Sequence, residues 1–194
     1  MLKDKFNKAI ELIDYANSKD PNKELWQDKE HPKELLYGIR MSKTLEDFEP
    51  NASESVKLAA RCQHICRWEI PRDSYEMNKV GYLKWRRYLY KFHAEKASEI
   101  LTEVGYDKAI IDNVKFLLQK KQLKKNVETQ LLEDVICLVF LEHYFSKFSK
   151  KYTEEKLIDI LQKTWGKMSK KGHEAALKLN FSQEEATLIS KALA

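Results

Sequence analysis

Long apolar runs are absent from this chain. The longest, VICLVFL from Val135 to Leu141, falls far short of the roughly 20 residues that span a bilayer as a helix. The first twenty residues, MLKDKFNKAIELIDYANSKD, set acids inside an apolar pattern and offer no small-residue cleavage site, so they do not read as a signal peptide. Cysteine is scarce and odd in number: Cys62, Cys66 and Cys137. That excludes a disulfide framework and points to a reduced, cytosolic setting. Glycine and proline number five and four in 194 residues, and they punctuate periodic segments instead of forming linkers or repeats. No P-loop, GxGxxG, HExxH, GxSxG or CxxC is present. The common nucleotide-binding, zinc-peptidase, serine-hydrolase and redox classes therefore lack their signatures.

What is present is enough apolar material for a core. Hydrophobic residues make up 43% and aromatics 11%, which excludes disorder. The length suits a single domain spanning 1–194. The formal net charge is +5 and the pI about 8.9, which permits anionic partners without requiring nucleic acid. That charge is concentrated. From Arg61 to His93 the chain reads RCQHICRWEIPRDSYEMNKVGYLKWRRYLYKFH, with eight Lys and Arg against three acids, a surplus equal to that of the whole chain. Five arginines, Trp68, Trp85, four tyrosines, His64 and His93 share these 33 residues. Arginine forks onto phosphate or carboxylate, so the stretch points to a pocket for a phosphate-bearing ligand. The alternative is a basic helix pair whose arginines pair with acids elsewhere.

Apolar spacing of three and four dominates and alternating runs are scarce, which predicts an all-α multi-helix bundle. A first helix is expected over about Leu2–Ser18 and a second from near Pro32. Asn51 followed by Glu54 reads as a capping box opening a helix to about Trp68. Ile70 to Lys79 reads as a loop. A long helix follows from Gly81 or Tyr82 to Val104, closed by Gly105. Asp107 caps the next, Asn126 begins another to about Phe148, and Thr153 starts one to Met168. Ser182 with Glu185 forms a capping box for the last.

Asp134 stands out by position. Leu131, Asp134, Leu138, Leu141 and Phe145 share one face of the most apolar helix. A carboxylate there needs a cation, a metal or hydrogen-bond donors: a functional site, or a carboxylate that holds an arginine or caps a neighbouring helix. Glu133 lies about 100° round the same helix. His64 and His93 fall on two earlier helices, and imidazole with carboxylate suits a divalent metal such as Zn, Mn, Fe or Ni. In Cys62-x-His64-x-Cys66 the histidine is about 200° from Cys62 on a helix, so the cysteines read as small hydrophobes. His31, His143 and His173 read as structural or solvent-facing. Lys120, Lys121, Lys124 and Lys125 complement a helix C-terminus or form an anion-attracting rim.

Several strings carry a resemblance: AARCQHICRWEIPR (59–72), GYLKWRRYL (81–89), FHAEKA (92–97), GYD (105–107), QLLEDVICLVFLE (130–142) and KTWGKMS (163–169). They look like one bacterial and fungal family catalogued as a domain of unknown function, some of whose fungal members are labelled similar to glutamyl-tRNA synthetase. No class I synthetase signature accompanies that label here. More distantly the chain resembles the HD-domain metal-dependent phosphohydrolases. These are all-α and hold a metal through a His on one helix, a His-Asp pair on another and a later Asp. His64, His93 and Asp134 match the first His, the second His and the last Asp in order. The pair itself departs, since Ala94 follows His93, and Glu133 is the nearest carboxylate in kind. The resemblance implies a phosphohydrolase acting on a phosphate-bearing small molecule or nucleotide. His64, His93 and Asp134 would hold a divalent metal, and Glu133 would orient the attacking water. Arg67, Arg72, Arg86 and Arg87 would hold phosphate oxygens, with Trp68 or Trp85 stacked on a base. The alternative is a non-catalytic nucleotide- or RNA-binding module that has lost the metal. Membrane contact is not expected.

Overall fold

The computed structural model describes residues 2–193. Ten α-helices, two short 3₁₀ turns, one π turn and one two-stranded hairpin make up the regular structure of the described residues, so the chain is an all-α protein. It divides into two compact units, Met1–Lys121 and Gln122–Ala194, described separately here. Among the described residues no helix is long and apolar enough to cross a membrane.

The first unit opens with α1 (Leu2–Ser18), whose inward line is Ala9, Ile13 and Asn17, all at most 1% exposed. A hairpin follows, β1 (Lys23–Trp26) paired antiparallel with β2 (Lys29–Pro32). Its two-residue loop places Gln27 and Asp28 at φ 49° and 60°, the paired left-handed conformation of a type I′ turn. Gln-Asp is a weak version of that turn's usual Asn-Gly, and the sequence reading contained no strand here. The pair Arg40–Glu24, 2.7 Å apart and nearly buried, ties the hairpin to α2 (Lys33–Phe48).

Pro32 supplies no side-chain cap to α2. Asp20 does so from outside, accepting from the Glu34 amide at 2.9 Å. α3 (Glu54–Cys62) is capped by Ser53 and not by Asn51, and it ends six residues short of Trp68. The cause is local: Cys66 takes a left-handed φ of 53°, which α-helix cannot accommodate. Its amide is held by the buried Asn17 side chain at 3.0 Å. Two short 3₁₀ turns, Arg67–Glu69 and Arg72–Ser74, occupy the expected loop. α4 (Lys79–Val104) is capped by Asn78 and closed by Gly105 at φ 85°. Asp107 caps α5 (Lys108–Leu118).

The second unit begins with α6 (Val127–Val139), capped by Asn126. The single long helix expected to Phe148 is interrupted by a π turn over Phe140–Tyr144 before α7 (Phe145–Ser149). α8 (Glu154–Trp165) and α9 (Lys170–Ala176) follow. The seven-residue α9 is too short to leave a periodic signature. Ser182 and Glu185 exchange backbone contacts and open α10 (Gln183–Leu193).

Candidate functional site

The first unit gathers an unusual set of buried polar groups where α2, α4 and the turn after α3 meet. α4 carries His93, 3% exposed, on the inward line of Trp85, Leu89 and Ala97. Its Nδ1 lies 2.8 Å from the Ile65 carbonyl. A carbonyl only accepts, so Nδ1 bears the ring proton and Nε2 keeps its lone pair. That Nε2 is buried and has no hydrogen-bond partner among the described residues. Burial first, then the neighbouring His64, pulls the His93 pKa down to about 3, so the ring is neutral at ordinary pH.

His64 stands across from it, with ring centroids 6.0 Å apart. Its other face stacks on Tyr37 at 3.9 Å. Its Nδ1 is 3.1 Å from Glu34 Oε2 and 3.3 Å from a nitrogen of Arg67. Burial, followed by the positive charges of Arg67, Lys120, Lys33 and Arg86, holds the His64 pKa well below its ordinary value. Glu34 is 5% exposed, and burial raises its pKa against the lowering pull of Arg67. The 3.1 Å contact between Glu34 and His64 therefore needs a proton on one partner. With Glu34 ionised the ring proton sits on Nδ1 and Nε2 of His64 has the lone pair; with Glu34 protonated the neutral ring carries its proton on Nε2 and Nδ1 accepts from Glu34. Arg67 spreads over the Trp85 ring at 5.0 Å and approaches Glu34 Oε1 at 3.9 Å. The Trp85 indole N–H donates to the Ile70 carbonyl at 2.9 Å, fixing the ring beneath the guanidinium.

The remaining residues singled out in the sequence separate into distinct environments. Arg61, the first arginine of the basic stretch, makes a two-pronged pair with Asp14 at 2.7 and 2.6 Å, so here the structural alternative holds. Arg72 donates to the carbonyls of Tyr75, Glu76 and Asn78 and acts as a clamp on its own loop. Arg86 is half-buried, donating to the Tyr90 hydroxyl at 2.5 Å, whereas Arg87 is exposed, as their separation of about 100° requires. Trp68 is half-buried. Cys62 and Cys66 are buried free thiols. Burial pushes both pKa values up, that of Cys66 to about 12, so neither is a thiolate at ordinary pH.

Glu133 and Asp134 belong to the second unit. Asp134 is 2% exposed, as its place on an apolar face predicts. Its carboxylate accepts from the Ser169 amide at 2.7 Å, the Ser169 hydroxyl at 2.5 Å and the Gln130 side chain at 3.1 Å. Asp134 therefore holds the first turn of α9, the capping role named among its alternatives. Gly172 lies against it: a Cβ there would sit 2.7 Å from Oδ1. Glu133 is 3% exposed, with Lys167 at 4.0 Å. Among the described residues no group of three or more His, Cys, Asp or Glu is placed to hold a metal ion; of the expected metal ligands, His64 and His93 belong to the first unit and Asp134 to the second. Within the first unit His64 and His93 are brought together, and within the second Asp134 is committed to α9.

Glu34 was not among the residues singled out. Its signal lay in the same spacing that marked Asp134: Glu34, Gly38, Met41 and Leu45 form a buried line on α2 with a carboxylate at its head.

The model of a family described as a domain of unknown function (DUF4202) matches residues 7–189. No curated protein and no solved structure matches the chain.

Proposed function

The chain belongs to that domain-of-unknown-function family, and for it we propose hydrolysis of a phosphate-bearing small molecule, such as a nucleotide, at the Glu34–His64–His93–Arg67 cluster. The observation that carries this reading is the buried Nε2 of His93, a lone pair with no partner among the described residues, on a ring centred 6.0 Å from a second imidazole. An unsatisfied buried acceptor costs about 1–3 kcal/mol, and a bound ligand removes that cost.

The donor chemistry fits a divalent ion. Both rings are held neutral, and each has its Nδ1 engaged by an oxygen, Ile65 carbonyl for His93 and Glu34 for His64. That is the arrangement that orients metal-bound histidines. An ion of the Zn, Mn, Fe or Ni kind bound there would lower the pKa of a water and polarise a phosphoryl oxygen. The chain's own groups have separate tasks. His64 and His93 supply Nε2 donors. Glu34 keeps the proton on Nδ1 of His64. Arg67, backed by Trp85, offers its fork to phosphate oxygens. In the reaction the oxygen of water bonds to phosphorus, the phosphoester P–O bond breaks, and the departing oxygen takes up a proton.

A second reading, a binding module without turnover, is favoured by Ala94 after His93 and by the commitment of Asp134 to Ser169. One comparison separates the two. Protein purified without a metal-affinity tag is analysed for bound metal and for phosphate release from a nucleotide panel. His93→Asn preserves a donor for the Ile65 carbonyl and removes Nε2. It should abolish both metal content and release while thermal stability survives. Unchanged metal content and turnover in this variant would refute the hydrolase reading, and nucleotide binding without release would establish the second one.

A further inference from the structure

The outer face of α4 carries a feature that the buried cluster does not use. Between Met77 and Ala94 the chain has five Lys and Arg and no acid. Lys84, Arg87 and Lys91 are exposed, and none has a hydrogen bond or ion pair among the described residues. At about 1.5 Å per residue they mark out roughly 10 Å of helix axis. Aromatic rings run alongside. Tyr88 is 46% exposed. It lies 6.4 Å from Tyr75 and 6.3 Å from Phe92, the latter pair nearly parallel at 20°. Tyr75 and Phe92 are half-buried and hold the exposed Tyr88 ring beside the three cations.

We propose that this face binds single-stranded nucleic acid, with backbone phosphates on Lys84, Arg87 and Lys91 and a base stacked on Tyr88. The charge is complementary to a polyanion. The rings offer π-faces that any base can use, the combination by which sequence-tolerant single-strand binders work. An anionic membrane would also be attracted by the cations. It would require a continuous aliphatic strip for insertion; the exposed aliphatic residues Met77, Val80 and Leu83 stop at the first turn of α4, and beyond them the exposed positions 84, 87, 88 and 91 are three cations and a tyrosine. The inference is independent of the buried cluster, whose His93 lies on the inward side of the helix.

Fluorescence anisotropy of the full chain with a labelled oligouridylate longer than one site of ~16 nucleotides provides the test. Saturable binding is expected. With three phosphate contacts on a single strand it should weaken about twentyfold between roughly 50 and 200 mM salt. Tyr88→Ala should weaken it about tenfold, and the triple change Lys84→Ala, Arg87→Ala, Lys91→Ala should abolish it. All four side chains are on the surface, so circular dichroism should remain that of the parent. Arg67→Ala should leave the affinity unchanged. Three results would overturn the proposal: no saturable binding at low salt, undiminished binding by the triple variant, or loss on Arg67→Ala instead. Binding to phosphatidylserine-containing vesicles without binding to the oligonucleotide would equally reject it.

Discussion

The His93 imidazole makes stability depend on pH in a calculable direction. The unfolded chain takes up a proton there near pH 6.5, whereas the native ring resists it until about 3. Between those values the unfolded state binds more protons, so native stability falls as pH falls, by about 1.4 kcal/mol per pH unit for this one group. His64, also lowered, adds to the fall. Glu34, whose folded value is raised, works against it just above 4.5. Denaturant titrations at several pH values should give a shallower acid slope for His93→Asn than for the parent, by about one proton. Arg67→Ala should weaken a phosphorylated ligand about tenfold or more, since charge-assisted contacts contribute roughly 1.5–3 kcal/mol. Arg87→Ala should barely alter that ligand's affinity in a calorimetric titration. Asp134 offers a contrasting case. Replacing a buried, idle carboxylate with leucine would be neutral or stabilising. Because this carboxylate accepts three hydrogen bonds, Asp134→Leu should instead cost about 3 kcal/mol, measured by urea unfolding. A cost near zero would show that α9 does not depend on it.

Whether an element could be read in advance followed from how local its determinants are. The C-cap of α4 and the N-caps of α5, α6 and α10 act within a few residues, so Gly105, Asp107, Asn126 and the Ser182–Glu185 pair are legible, whereas the Asn78 cap places the start of α4 at Lys79, ahead of the expected Gly81 or Tyr82. α3 was misjudged at both ends because non-local facts decide it. Ser53 outcompetes Asn51 as the cap, and the left-handed Cys66 is held by Asn17, 49 residues away. The candidate site divided in the same way. His64 and His93 stood out as histidines in a basic, aromatic stretch, whereas Glu34 enters only through the packing of α2. The start of α4 gives an element-scale test. A Cβ on Gly81 would sit 2.1 Å from the Glu76 carbonyl oxygen, while alanine ordinarily favours a helix over glycine by up to about 1 kcal/mol. The clash should win. Gly81→Ala is expected to lower the melting temperature and to loosen the loop that Arg72 clamps, seen as faster amide exchange over residues 72–80.

For the molecule as a whole, a ligand that binds only the native state raises stability by about 2.7 kcal/mol at a hundred times its dissociation constant. If His64 and His93 hold a divalent ion, then adding Zn or Mn should raise the melting temperature of the parent and chelation should reverse the rise. His93→Asn should show neither effect. The two units also differ in how they meet light. Trp26, Trp68 and Trp85 fall in the first unit and Trp165 alone in the second. Trp165 is stacked flat on His173 at 4.0 Å and 2°, a contact that ties its emission to the intact fold of residues 122–194. With the other three indoles replaced by phenylalanine, the colour and brightness of this one residue become an optical gauge of the second unit, so its melting can be watched without tryptophan signal from the unit that carries His64 and His93.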